Sequence, residues 1–138
     1  GFACPRTEIS GARLWGWAQA RFQTPERFFA RFYVHNYCPL SFMEESGRNF
    51  TPDKLPAAFQ APLFAACDAT LHRVVACLQP RFLVGVGHFA EARLRKACSD
   101  CGCTILRMPH PSPASPAANK DWAGSVDRAL AAGGVPLK

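Results

Sequence analysis

The chain has 138 residues, 49% of them hydrophobic, with three Trp and eleven Phe, enough apolar bulk for one cored domain and too much for a disordered chain. No run reads as a membrane span and no basic-then-apolar leader opens the sequence, so the expectation is a soluble protein with no membrane partner, and a monomer is expected. A net charge of +6 favours a polyanionic partner, because fixed cations gain by displacing counterions from phosphate. The seven cysteines, an odd number set among apolar residues, suit reduced thiols better than a disulfide framework.

In chain order, "ISGARLWGWAQARF" (9–22) reads as an amphipathic helix and "RFYVHN" (31–36) as a first short strand. "TPDKL" then offers Thr51 as an N-cap with Pro52 at the first helical position, and Leu63, Cys67, Leu71, Val74 and Leu78 continue one apolar face. "RFLVGVG" (81–87) predicts a second strand. A helix follows Gly87 with Ala90, Leu94, Ala97 and Cys101 aligned, and "TILRM" (104–108) predicts a third strand. A last helix is expected from Ser115 and Pro116, aligning Trp122, Val126 and Ala129. Strands alternating with helices imply an α/β fold, a three-layer sandwich with a central parallel sheet flanked by helices, over a single domain spanning 1–138.

Ligands of such sheets sit beyond the carboxyl ends of the strands. The three predicted strands end in Asn36, in Gly87-His88 and, just past the third, in His110. His110 lies in a stretch stiffened by Pro109, Pro111, Pro113 and Pro116, each of which fixes its own φ and restricts its predecessor. An imidazole held there can donate to an oxygen on which negative charge develops, although a polar turn residue is the plainer reading. Asn36 carries donor and acceptor together and so can read an amide or imide edge such as that of uracil, or it simply caps a strand. Lys54 and Lys120 fall in the expected first turns of two helices, where a cation is disfavoured unless an anion is near. With Ser46, Gly47, Arg48 and Asn49 before one helix, and Ser112 and Ser115 before the other, they outline a phosphate-binding rim, or else point into water.

Three other motifs carry less. "GVGHFA" (85–90) matches a dinucleotide fingerprint, but "TILRMPH" lacks the acidic residue that would hold a ribose, so the glycines read better as a tight turn with close helix packing. "CSDCGC" supplies Cys98, Cys101 and Cys103 without the fourth ligand of a structural zinc site, and no metal is expected. Ser112 lies outside any nucleophile elbow, which disfavours a triad hydrolase.

"TEISGARLWG", "FYVHNYCPL", "SGRNFTP", "GVGHFAEARLRKA" and "HPSPASPAANKDW", in this order and spacing, resemble the single-strand-selective monofunctional uracil-DNA glycosylases. The resemblance implies the uracil-DNA glycosylase fold and a nuclear base-excision enzyme. Such an enzyme flips a uracil or oxidised uracil from DNA and cleaves its N-glycosidic bond with water, using no metal or other cofactor. By that match Asn36 reads the uracil edge and His110 hydrogen-bonds uracil O2. Ser46, Gly47, Arg48, Asn49 and Lys54 contact DNA, as do Ser112, Pro113, Ala114, Ser115, Lys120 and Trp122, and the loop 111–119 wedges into the duplex.

Two departures matter. Ala114 and Ser115 stand where the family's loop has Arg and Asn, giving a smaller, less basic wedge. The family's Gly-Met-Asn-Pro-Gly-Pro-Phe-Gly motif, which positions the attacking water and stacks on uracil, has no match here, and the sequence corresponds to the family's C-terminal part. The expectation is therefore a domain incomplete at its N-terminal side and inactive by itself. A catalytically dead DNA-binding module and a nucleotide-cofactor domain are the rival readings.

Overall fold

The computed structural model describes residues 8–115 and 120–137. Helix α1 spans Ile9–Phe22, where the periodicity predicts it, and is capped by the Glu8 carboxylate, which accepts from the amides of Ser10 and Gly11. A short α2, Pro25–Phe29, follows, with Pro25 at its start and the Thr24 hydroxyl as cap. Trp17, Phe22, Phe28 and Phe32 then form one aromatic cluster, with Phe28 and Phe32 stacked at 5.1 Å and Trp17 edge-on to Phe22 at 5.8 Å.

Residues 32–36 do not form the first predicted strand. Their β-branched and aromatic composition is suitable, but a strand needs a ladder. Among the described residues no backbone hydrogen bond joins residues 33–36 to another segment, and Tyr33 and Val34 are exposed. Beyond them β1, Phe42–Met43, pairs antiparallel with β2, Asn49–Phe50, in a small hairpin whose turn needs Gly47 at φ +78°.

The expected helix start at Thr51 is also corrected. Thr51 makes no side-chain cap, Pro52–Lys54 is a single 3-10 turn, and helix α3 begins at Ala57 and runs to Leu78. Pro56 is the cause, because the ring disfavours helical geometry in the preceding residue and Leu55 accordingly sits at ψ 151°. The buried face of α3 is Cys67, Leu71 and Val75, so the stripe passes through Val75 rather than Val74, and Leu78 is half exposed. By length and composition α3 could cross a membrane, with 22 residues and mean hydropathy 1.3, which the sequence reading did not expect. Yet Asp68 at its middle is ion-paired with Arg93, a pair that hydrocarbon would penalise.

Strand β3, Phe82–Val86, runs parallel to β4, Thr104–Met108, with Phe82 opposite Thr104 and Val86 opposite Met108. Helix α4, Gly87–Ala97, is the crossover. Alternation divides the two strands cleanly. Phe82, Val84, Val86, Leu106 and Met108 face α1, α2 and α5 (Trp122–Ala132), while Leu83 and Ile105 face Leu94 and Cys98 at the end of α4 and Leu71 and Val75 of α3. Helix, sheet and helix are thus stacked in the expected α/β order around a parallel pair. Gly85 permits this closeness, since a Cβ there would fall 2.4 Å from the Glu91 amide.

Two helix ends differ from the sequence pattern. α4 stops at Ala97, so Cys101 lies in the following turn. α5 is capped by Asp121, which accepts from the Gly124 amide, so Ser115 does not open it, and Pro116 lies outside the described residues. Its buried face is Trp122, Val126 and Leu130.

Candidate functional site

His110 follows β4 by two residues and is exposed, but its Nδ1 and the backbone on both sides of it are held. The Ser112 amide donates to His110 Nδ1 at 3.1 Å. The Trp122 indole donates to the Pro109 carbonyl at 2.9 Å, and Arg13 Nη1 donates to the Pro111 carbonyl at 2.8 Å, so both neighbours of the histidine are anchored. Ser112 closes the turn beyond, accepting from Ala114 at its hydroxyl and from Ser115 at its carbonyl. Behind the ring lies Gly87, at φ +85°, where a Cβ would stand 3.2 Å from His110 Cβ. A side chain at position 87 would be strained and would also press on the histidine.

The Ser112 hydrogen bond has a chemical consequence. A neutral imidazole whose Nδ1 accepts must carry its proton on Nε2. The loop therefore presents a neutral donor, Nε2–H, to whatever lies in front of it.

Asn36 is exposed and makes no side-chain hydrogen bond among the described residues. Its neighbour Tyr37 is firmly held: the hydroxyl donates to Asp68 Oδ1 at 2.8 Å, and the ring meets the edge of Phe89 at 5.5 Å. Phe89 is the third residue of α4, and Gly87 is its first. One short helix start thus touches both the His110 ring and the ring beside Asn36. On the other side of Asn36, His35 Nε2 is buried with no hydrogen-bond partner. Two cavities, of about 330 and about 270 Å³, lie elsewhere, one lined by His72, Asp100, Cys101 and Cys103 and the other between α1 and α2. Neither includes Asn36 or His110, and both of these residues are exposed.

The expected phosphate rim is redistributed. Ser46, Gly47, Arg48 and Asn49 form the exposed hairpin end rather than a helix entrance, and Arg48 is paired with Glu44 at 2.8 Å, which offsets its charge. Lys54 ends the 3-10 turn and Lys120 precedes the Asp121 cap, so neither stands in the first turn of an α-helix and the dipole argument fails for both. Both remain exposed cations. Ser112, Pro113, Ala114 and Ser115 do share one turn beside His110, and residues 116–119 of the proposed wedge lie outside the described residues. Trp122 is only 5% exposed. It cannot meet DNA and instead supports the histidine loop from inside the core. His88 of the second strand end is engaged by Arg107.

Of the described thiols Cys67 and Cys98 are buried, Cys38, Cys101 and Cys103 are partly buried and Cys77 is exposed. Burial raises the Cys67, Cys98 and Cys103 thiols, Cys103 to about 11, which disfavours the thiolate that metal binding requires. No group of three ligating side chains suited to a metal occurs among the described residues. Sequence reasoning missed Arg13, the seat at Gly87, and Asp68 with Arg93. Each depends on a contact between distant segments and has no local signature.

The family model of the uracil DNA glycosylase superfamily matches residues 2–130. The chain is 47% identical over 126 residues to the single-strand selective monofunctional uracil-DNA glycosylase of Rattus norvegicus, covering 88% of this chain and 45% of that protein. It is 44% identical to the proteins of the same description from Mus musculus and Bos taurus, covering 99% of this chain and 50% and 52% of theirs. The chain spans about half the length of these relatives. With its parallel pair, its crossover helix and a family match over nearly all of its length, the chain belongs to the uracil DNA glycosylase superfamily.

Proposed function

We propose that this chain is the uracil-reading, leaving-group side of a base-excision DNA glycosylase acting in the nucleus. The observation that carries the reading is the Ser112 amide on His110 Nδ1, because it leaves Nε2–H as a neutral donor on a rigid loop. Uracil O2 takes up negative charge as the N-glycosidic bond breaks. A donor aimed there stabilises the departing anion more than the ground state, and one such donor contributes about 2.7–4 kcal/mol in comparable oxyanion sites. Asn36, exposed and with its amide uncommitted to protein partners among the described residues, is the group that pairs with the uracil edge. The proton balance needs no metal: water supplies hydroxide to C1′, and the base leaves as an anion that is later protonated. The net charge of +6 suits a DNA substrate, with Arg48, Lys54 and Lys120 among the exposed cations.

Positioning the attacking water is a separate requirement, and orientation can contribute about 7–11 kcal/mol in favourable cases. The Gly-Met-Asn-Pro-Gly-Pro-Phe-Gly motif that does this in the family is absent from this sequence. The polypeptide alone is therefore expected to bind uracil-containing or abasic DNA while releasing little or no uracil. A second reading is a DNA-binding fragment without catalysis. The nucleotide-cofactor alternative loses its support, because Gly85 and Gly87 are accounted for by helix packing and by the seat of His110.

Titration of the chain with abasic, uracil-containing and undamaged oligonucleotides, and with NAD, tests the reading. The expected result is salt-sensitive binding that prefers abasic and uracil-containing DNA, with no affinity for NAD. Equal affinity for damaged and undamaged DNA would remove the base-reading role and leave the fragment reading. Uracil release at the rate of a complete family enzyme would overturn the assignment of water positioning to the missing motif.

A further inference from the structure

Tyr37, Asp68 and Arg93 come from a loop, from α3 and from α4, and they converge on one partly buried cluster. Arg93 Nε donates to Asp68 Oδ1 at 3.0 Å, and its Nη2 donates to Asp68 Oδ2, a two-pronged ion pair. The same guanidinium lies over the Tyr37 ring at 5.4 Å and the Phe64 ring at 5.0 Å, while the Tyr37 hydroxyl completes the cluster on Asp68 Oδ1 at 2.8 Å. The Arg93 and Asp68 side chains are 14% and 16% exposed, so this pair is largely shielded from solvent, unlike the Arg48–Glu44 pair at 73% and 41%. Burial pushes the Tyr37 phenol upward and Asp68 adds to the shift, so the hydroxyl remains a donor throughout the neutral range.

Such a cluster is more than the general packing of two helices requires, since Leu71, Val75, Leu83 and Leu94 already provide an apolar core there. Its only member outside the helices is Tyr37, the residue after Asn36, and residues 33–36 have no ladder to hold them. Helix α4 meanwhile begins at Gly87 against His110 and holds Tyr37 through Phe89 and Arg93. It therefore meets His110 at its first residue and Tyr37 at its third and seventh.

We propose that the Asp68–Arg93–Tyr37 network is a positioning device that sets Asn36 against His110 with α4 as the spacer, and thereby sets selectivity for the base. This rests on Asn36 reading the base. Neither Asp68 nor Arg93 touches substrate. They act through Tyr37, so their loss should change discrimination between bases more than grip on the DNA backbone.

The test compares affinities of the chain for single-stranded oligonucleotides carrying one uracil or, at the same place, one cytosine. Asp68→Asn keeps the shape but removes the charge that Arg93 and Tyr37 share, and the uracil-to-cytosine preference should fall about fivefold or more. Tyr37→Phe, which removes one hydrogen bond, should lower it about two- to threefold. Arg95→Ala, on an exposed pair with Glu91, should leave it unchanged. A parallel loss of affinity for both oligonucleotides with an unchanged ratio would mark the network as structural only and overturn the proposal. If the unsubstituted chain shows no preference, the reading of Asn36 itself fails. The nuclear resonances of the Asn36 side-chain amide then decide the positioning claim separately: they should shift in Asp68→Asn and not in Arg95→Ala, and no shift would refute it.

Discussion

Around His110 the flanking carbonyls of Pro109 and Pro111 and the ring nitrogen each have a partner, drawn from α5, from α1 and from the loop itself. Around Asn36 the contacts are sparser: among the described residues its exposed side chain has no protein hydrogen bond, His35 Nε2 is buried without a partner, and residues 33–36 have no ladder, while Tyr37 next to Asn36 is held by Asp68. The two regions approach the same end of α4. One half of the candidate site is thus held by hydrogen bonds from three segments, while the base-reading side chain of the other is held through its neighbour Tyr37.

The largest expected effect comes from removing the core support of the organised half. Trp122→Ala should cost about 3–5 kcal/mol in urea unfolding, whereas Trp122→Phe keeps most of the volume and leaves the Pro109 carbonyl without its donor, costing about 1–3 kcal/mol. A Trp122→Phe variant as stable as the unsubstituted chain would mean that the hydrogen bond contributes nothing. On the other side Asn36→Ala should change stability by no more than about 0.5 kcal/mol, because the side chain has no partner to lose. Its uracil preference should fall by about 1–3 kcal/mol, the size of one two-point base contact, as measured by oligonucleotide titration.

Arg13→Met should cost about 1 kcal/mol and speed amide exchange at Ser112, since the Pro111 carbonyl loses its donor while the apolar stem is kept. No change at Ser112 would detach Arg13 from the histidine loop. The smallest effect is acid sensitivity at the start of α1. Burial works to raise the Glu8 carboxyl, but its bonds to the Gly11 and Ser10 amides outweigh this and lower it. A depressed folded value gives stabilisation that is complete above the unfolded value near about 4.3 and is lost as pH falls through the folded one. Amide exchange at Ser10 and Gly11 should therefore rise in that acid window, and Glu8→Gln should abolish the dependence.

Much of this was legible in the sequence. The alternation in "RFLVGVG" and "TILRM" and the periodicity of residues 9–22 are local signals, and the two strands and α1 follow them. The glycines of "GVGHFA" were legible too, as a close-packing turn. What failed had physical causes. "RFYVHN" has strand composition, but pairing is a tertiary property that composition does not encode. The start of α3 moved because Pro56 outweighed the cap signal at Thr51. Lys54 and Lys120 lost their helix-terminus role for the same kind of reason, once the helix starts had moved. Trp122 read as a DNA contact from its place in the motif, and only its burial reveals it as the inner support of that loop.

The proposed chemistry turns on which nitrogen of His110 carries the proton. Nitrogen-15 spectroscopy of the imidazole in its neutral form should find the proton on Nε2, with Nδ1 accepting from the Ser112 amide. A ring protonated on Nδ1 instead would leave no donor facing the base and would contradict it.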